Sequence, residues 1–443
     1  MEEAGKLVNE VKKLPQVLAE LVSSSTVQPS TMRSFGIILL IIGSIAIVTW
    51  ISMRAINSSR KGAPSTPENI TTLVNSLNLT IEAEGQGSQR SQSQGSLYSS
   101  LINNLEPSEA YLVNLCPLTA SLGGYIGREE PGVFSSETYV QNALRSGIRS
   151  FIIPISVYLD DNKYPPHWPL SGKPAITCRN ASGKIISLNG LTIKKFCTDL
   201  LTYNGLNVTQ ADEPILLYIK STPGYIPDPI QSEKAYVQLT SDIAAELDII
   251  PADRRLVTLG GFGSAVDTQN EGTILTQIPL IHLKNKFIIF TDFDTKLASK
   301  PAYAKITPVL ANYTNFAVTL PDADKPGNAR SMKLQDVSGS KVNWPDRART
   351  VWHMTAQDDP LVVPDSTLLI GATSSGIQMI PVPFFMRPLT EVQSIINAWQ
   401  GFAWQLKAPA ARYTKPAPVV PAPANAKMNA RVSPGLQPGQ VAV

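Results

Sequence analysis

Three short runs limit the folds open to this chain more than anything else in it: SFIIPISVYL at 150–159, PILLYIK at 214–220 and KFIIFTD at 286–292. In each, odd and even positions are both largely apolar, so the strand must be covered on two faces. AYLVNL at 110–115, RLVTLG at 255–260 and IQMIPVPFF at 377–385 extend the series. Between them, SETYVQNALRSG (136–147), LTIKKFCTDLLTYNG (191–205) and VQLTSDIAAELD (237–248) are amphipathic at helical spacing, and two end near glycine. Such alternation over about 300 residues predicts an α/β fold, a TIM-type parallel barrel rather than an open sheet, because no glycine-rich nucleotide loop follows an early strand. GGFGSA at 260–265 comes nearest, but VDTQNEG after it does not read as a phosphate-binding helix start, so it reads as a turn.

A different constraint comes from residues 35–53, FGIILLIIGSIAIVTWISM, nineteen residues without a charge between Arg33 and Arg54. As a helix they span roughly 28 Å, the thickness of a hydrocarbon core, with Trp50 near one boundary. A cleaved signal peptide fits less well, since more than thirty residues precede the run. Arg54, Arg60 and Lys61 follow it closely and place the large domain on the cytoplasmic side, whereas six Asn-x-Ser/Thr sequons, beginning at Asn57, Asn69, Asn78, Asn180, Asn207 and Asn312, point the other way. The chain therefore divides into an amphipathic segment (1–34), a transmembrane helix (35–53), a flexible Ser/Gln/Gly tether (54–103), a barrel (104–407) and a tail (408–443). That tail holds seven prolines and four basic residues, Arg412, Lys415, Lys427 and Arg431, with no acid, the composition of an extended arm.

Composition excludes several functions. A net charge of +3 gives no footprint for nucleic acid, and three cysteines, Cys116, Cys178 and Cys197, without CxxC spacing make neither a disulfide framework nor a zinc knuckle. Hydrophobic residues at 43% with only 16% charged suit a membrane segment or a broad protein interface. There are three histidines, His167, His282 and His353, few for a chain doing proton transfer near neutral pH, and each reads as a packing or surface residue.

The order of these runs resembles the catalytic barrel of eukaryotic-type phosphoinositide-specific phospholipase C, with its X and Y halves. AYLVNLCPLTAS (110–121) looks like its first strand and loop, SSETYVQNALRSGIRSFIIPIS (135–156) like the following helix and second strand, LKNKFIIFTD (283–292) like the close of the X half, and GIQMIPVPFF with GFAWQLKAPAAR (401–412) like the end of the Y half. The resemblance covers most of 105–412 and is poor over about 293–370. It implies a phosphodiesterase site of two histidines and a calcium ion held by an asparagine and several acids. On this sequence the histidines fall on Pro117 and Cys178, and the calcium ligands on Leu118, Ile152, Pro154 and Lys220. A slip of one residue restores nothing, because 112–120 contain no His or acid and 148–157 contain no acid. The site is expected to be lost, with no metal and no cofactor.

The resulting expectation is a catalytically inactive, membrane-anchored scaffold. The chain looks similar to divergent barrels of large DNA viruses with an internal membrane, which implies a minor virion protein joining that membrane to capsid proteins. One alternative is a phosphoinositide-binding module with Arg149, Arg179 and Lys220 as phosphate contacts; Arg149 also fits a strand-start charge paired with a helix-end carboxylate. The other is a divergent phosphodiesterase. Pro154 is expected at the last strand position before a loop, where no N–H is needed.

Overall fold

The structure is a computed structural model. It describes residues 97–127, 132–157, 172–180, 183, 185–206, 212–256, 278–319, 329–333, 336–337, 344–356, 360–387 and 403–416, with scattered positions over 71–79 and 392–399. The chain divides between Thr66 and Pro67, and every described residue belongs to the second unit, Pro67–Val443. The expected membrane helix at 35–53, His167 and the GGFGSA turn lie outside the described residues. Among the described residues no helix is long and apolar enough to cross a membrane.

Strand β1 (Leu115–Pro117) stands apart from the barrel, which begins with β2 (Thr119–Ala120). After the hairpin of β3 (Tyr125–Ile126) and β4 (Val133–Phe134), the parallel strands continue with β5 (Ser150–Val157), β7 (Ile215–Ser221), β8 (Phe287–Thr291), β9 (Phe316–Thr319), β10 (Ala329–Lys333), β11 (Trp352–Ala356) and β12 (Pro381–Val382). Each pairs in parallel with its predecessor from β2 to β11, and β12 returns to pair with β2. The seam between β11 and β12 is joined by the parallel bridge Met354↔Met379 and a bond from Thr355 N–H to Met379 O. Eight strands in chain order thus form a nearly closed α/β barrel. On its outside, β6 (Pro174–Ile176) pairs antiparallel with the far end of β5.

The doubly apolar runs split by parity. Ile152, Leu216, Tyr218, Ile288, Phe290, Phe316, Val318, Trp352 and Met354 form one buried cluster inside the barrel. Their neighbours Phe151, Ile153, Ile155, Leu217, Ile219, Phe287 and Ile289 belong to a second cluster, under the helices. Inside, Phe290 lies 4.9 Å from Phe316 and 5.3 Å from Trp352, centroid to centroid, so the barrel is packed rather than hollow. Each buried aromatic ring contributes about 1.5–3 kcal/mol.

Helix α1 (Leu97–Asn104) precedes the barrel, and α2 (Ser136–Arg145), α3 (Ile193–Leu206) and α4 (Glu233–Leu247) cover its first half, close to expectation. In α2 the acid Glu137 and the base Arg145 sit at the termini that favour them, while Tyr139, Val140, Ala143 and Leu144 turn inward. The helix ends because Gly147 takes φ +87°: Gly147 N–H bonds Leu144 O, Ile148 N–H bonds Ala143 O, and Ile148 is buried as the motif requires. That turn delivers the chain straight into β5. The second half has only α5 (Trp344–Ala348) and α6 (Ser366–Ser374).

Several boundaries differ from the sequence reading. AYLVNL is no barrel strand; it forms a short 3-10 turn at Leu112–Asn114 leading into β1, which pairs antiparallel with β13 (Trp404–Leu406). The body also starts before 104 and ends after 407. Tyr98 is buried, donates to Leu280 O and stacks edge-on against Trp404. On the C-terminal side, Asn114 clamps the Tyr413 backbone through both its amide groups, Arg412 pairs with Glu109, and Lys415 N–H bonds Ser108 O. Strands β9, β10 and β11 were illegible because half their positions are small or polar. Of RLVTLG, the described Arg255 and Leu256 belong to no strand; Arg255 forms an isolated parallel bridge to Phe287, and Leu256 N–H bonds Phe287 O. Pro154 is no final residue: β5 runs three residues further, and β6 pairs with that extension.

Candidate functional site

Parallel barrels gather their loops at the C-terminal strand ends, and here that face holds a cleft of about 430 Å³. Strand β5 contributes Ile152 and Pro154, the turn after β6 contributes Thr177, Arg179 and Asn180, and β7 contributes Tyr218, Lys220 and Ser221. The loop after β7 adds Thr222, Pro223 and Tyr225, and Ser121, Thr355, Pro360 and Pro381 complete the opposite wall.

The charged part of the cleft follows from barrel parity. Ile219 pairs with Thr291, so the next residues, Lys220 and Asp292, stand side by side at inward-facing positions one layer above Tyr218 and Phe290. Asp292 is half-buried beneath the cleft and accepts three hydrogen bonds: from Ser221 N–H at 2.6 Å, the Ser221 hydroxyl at 3.0 Å and the Tyr218 hydroxyl at 3.3 Å. Burial pushes its carboxyl up to about 6, against the opposing pull of the Ser221 bonds and of the Lys220 charge. Tyr218 is driven well above its ordinary value by burial and by the Asp292 charge.

Arg179 forms the other wall. Its guanidinium lies 3.6 Å from the centre of the Tyr225 ring and donates through Nη1 to Gly183 O at 2.8 Å. Gly183 has φ +79°, and a Cβ there would come within 1.9 Å of Tyr225 Oη, so only glycine leaves room for the ring. Tyr225 O in turn accepts from Val157 N–H, tying the loop after β7 to the end of β5.

Of the expected phosphate contacts, Arg179 and Lys220 therefore line one cleft, and Arg149 does not join them. It lies one residue before β5, at the opposite strand end, wholly buried, with Nε 2.7 Å from Glu213 Oε2 and Nη1 bonding Leu144 O and Ile148 O. Its partner is the carboxylate just before β7, not one at a helix end. The positions implied for the lost site divide likewise. Leu118 and Cys178 are buried in the outer core, Ile152 in the barrel interior, and Pro117 in β1, while Pro154 and Lys220 are half-buried at the cleft. Leu118, Ile152, Pro154 and Lys220 offer no side-chain oxygen, so these residues do not fit calcium, which needs six to eight. Among the described residues no three His, Cys, Asp or Glu side chains come together as metal ligands. No described histidine lines the cleft: His282 lies in the 3-10 turn Leu280–Leu283 before β8, and His353 is buried in the lower half of β11.

Asp292 is a charged group next to the cleft that the sequence analysis does not single out. The signal was present in KFIIFTD, where Ile288, Phe290 and Asp292 share a parity just as Leu216, Tyr218 and Lys220 do in PILLYIK.

No family model matches the sequence, and no curated protein matches it. Among solved structures, PLC21 of L. pealei is 13% identical with a TM-score of 0.43, covering 68% of this chain and 38% of its own. PLC21 of S. officinalis is 12% identical with a TM-score of 0.44, covering 70% and 39%. A calcium-dependent phosphatidylinositol-specific phospholipase C from Streptomyces antibioticus is 12% identical with a TM-score of 0.41, covering 68% and 99%. The chain thus spans about two fifths of the two PLC21 chains and nearly all of the Streptomyces enzyme. Its structural neighbours are phospholipase-C-like barrels at low identity.

Proposed function

We propose that this chain is a non-hydrolytic barrel that serves as a membrane-anchored scaffold and keeps a phosphate-binding cleft at its mouth. The observation that carries this reading is one of residue chemistry: the positions that the resemblance assigns to imidazole and calcium ligands hold Pro117, Leu118, Ile152, Pro154, Cys178 and Lys220, and at the C-terminal strand ends the cations Arg179 and Lys220 line one cleft. General acid-base catalysis contributes about 10²–10⁴-fold per group, and neither of the two histidine positions supplies one. Phosphate binding needs only fixed donors, and Arg179 is held in place by Tyr225 and Gly183.

The scaffold part of the reading joins the apolar run 35–53, which precedes the body in sequence, to the proline-rich basic tail that follows it, as in a minor virion protein linking an internal membrane to capsid proteins. Turnover of a water-soluble inositol phosphodiester, with calcium and with a chelator, tests inactivity; the expected rate equals the buffer control in both. Calcium-dependent turnover abolished by Arg179→Ala refutes it.

A further inference from the structure

We propose that Lys407 is a pH-operated catch: without its charge it holds the C-terminal segment 407–416 closed against the barrel, and with its charge it lets that segment open while the barrel stays folded. Released, the segment adds up to roughly 33 Å of extended chain to the proline-rich tail that follows it in sequence.

Lys407 stands where the segment closes on the body. Its N–H bonds Asn114 O, which extends the pairing of β1 with β13, and Arg412 Nε donates back to Lys407 O at 2.8 Å. The side chain, 1% exposed, lies against the end of α5, the turn at Gly376 and the 3-10 turn Pro409–Ala411. A Cβ on Gly376 would come within 2.6 Å of Ala411 Cβ, 2.9 Å of Ala348 Cβ and 3.6 Å of Lys407 Cδ, so these pieces and the lysine stem meet with no spare room. At its tip the amine donates to Ala348 O, the last carbonyl of α5. Charged, it is a buried cation on a neutral acceptor, and among the described residues no carboxylate pairs with it. The acids of the surrounding elements are engaged elsewhere: Asp346 of α5 with Arg349, and Glu109 with Arg412. The other titratable groups facing this point are Cys116 on β1, whose thiol burial pushes up to about 12, and His353 on β11, which burial lowers to about 3. Arg330 and Arg347 act on His353 as Lys407 does, and both are cations throughout. None of these groups changes charge between pH 7 and 9, and none offers a negative charge. Water in the open segment therefore favours the charged lysine, and the closed core favours the neutral amine. Burial lowers Lys407 from 10.5 to about 7 in the closed state. The closed state refuses a proton that the open state takes up, so opening increases by about tenfold per unit as pH falls through that window and levels off below it.

The test follows cleavage of the full chain in detergent micelles by chymotrypsin at pH 7.0 and 9.0. The bond after Tyr413 is cut only when the segment opens, since Asn114 holds both the N–H and the carbonyl of Tyr413. Its rate is divided by that of the same bond in a synthetic peptide of residues 408–420, which removes the protease's own pH dependence. For the wild type this quotient should be about tenfold or more higher at pH 7.0 than at 9.0. Lys407→Met and Lys407→Gln carry no charge, and Lys407→Gln keeps a donor for Ala348 O; both should give a low quotient, equal at the two pH values. The bond after Phe290 in β8, normalised in the same way, reports opening of the barrel and should be cut about tenfold or more slowly than that after Tyr413. A wild-type quotient equal at both pH values overturns the proposal. So does a variant that keeps the wild-type rise, because another group then supplies the charge. Equal rates after Tyr413 and Phe290 also overturn it, since the segment then opens only with the whole barrel. Should both variants fail to fold, the wild-type comparison and the Phe290 control still decide.

Discussion

Replacing Arg149 by alanine should nearly unfold the protein, although no ligand or solvent touches it. Its guanidinium is fully buried 2.7 Å from Glu213, whose side chain is 1% exposed, and it also bonds the carbonyls of Leu144 and Ile148. Removing one partner of a buried ion pair costs about 3–5 kcal/mol, because the other charge stays buried without the partner that offset its desolvation. Two carbonyls losing a donor add roughly 1–3 kcal/mol each where water cannot reach them. The sum, about 5 kcal/mol or more, approaches the whole stability of an ordinary domain, about 5–15 kcal/mol. The double variant Arg149→Met/Glu213→Leu removes both charges and should lie within about 2 kcal/mol of the wild type. Urea unfolding followed by the fluorescence of buried Trp352 and Trp404 measures both. If the single variant costs under about 1 kcal/mol, or the double costs as much as the single, the pair does not anchor β5 to β7 and the reasoning fails.

Three further outcomes are expected. Burial lowers Lys407 to about 7 and His353 to about 3, so the folded state refuses protons that the unfolded chain accepts; stability should fall as pH drops from about 10.5 to 7 through Lys407 and again from about 6.5 to 3 through His353. Each contributes on the order of a few kcal/mol, and Lys407→Met should gain stability over wild type at pH 7 with the gain vanishing near pH 10.5, as unfolding midpoints will report. Asp292 has the opposite sign, since its raised carboxyl binds a proton in the folded state first, and Asp292→Asn should flatten a small rise in stability between about pH 6 and 4. Gly183→Ala should displace Tyr225 and so weaken phosphate binding through Arg179, at a stability cost of about 1–2 kcal/mol; unchanged binding refutes that wall. Truncation after Pro416 should leave the unfolding midpoint unchanged while reducing attachment to a partner in a salt-sensitive manner, whereas truncation after Lys407 should lower the midpoint by removing the Tyr413 clamp.

Much of the barrel was legible because its first strands are covered on both faces and its first helices are amphipathic, α2 being stopped at Gly147. Strands β5, β7 and β8 and helices α2, α3 and α4 came from pattern alone. The second half was not legible, since β10 reads ARSMK and β11 reads WHMTA, where Ser331 and Thr355 are buried polar residues that break the apolar run. Two of the corrected positions, Pro154 and Arg149, are long-range effects. The β6 hairpin extends β5 past its proline, and Glu213 meets Arg149 only because β5 and β7 are neighbours. Asp292 is of the same kind, since it adjoins Lys220 only because β8 is the neighbour of β7.

The two ends of the barrel differ in what they carry, and the packing between them does not depend on the residues of the mouth. Below the level of Lys220 and Asp292 the interior is mostly hydrocarbon, with Tyr218, Phe290, Phe316 and Trp352 packed across it, so exchanging mouth residues removes no layer of the core. The closed end carries the chain connections. There Tyr98 meets Trp404, Tyr111 meets Tyr413, and the strand pair Leu115↔Leu406 continues outward through Asn114 to Lys415 on Ser108. The two segments thus run antiparallel and reach Ser108 and Lys415 side by side. A load applied between these two segments would fall on this clamp, and the parallel ladder of the barrel lies outside its path. That arrangement places no mechanical demand on the mouth, where Arg179 and Lys220 line the cleft and Asp292 adjoins Lys220 in the register of β7 and β8.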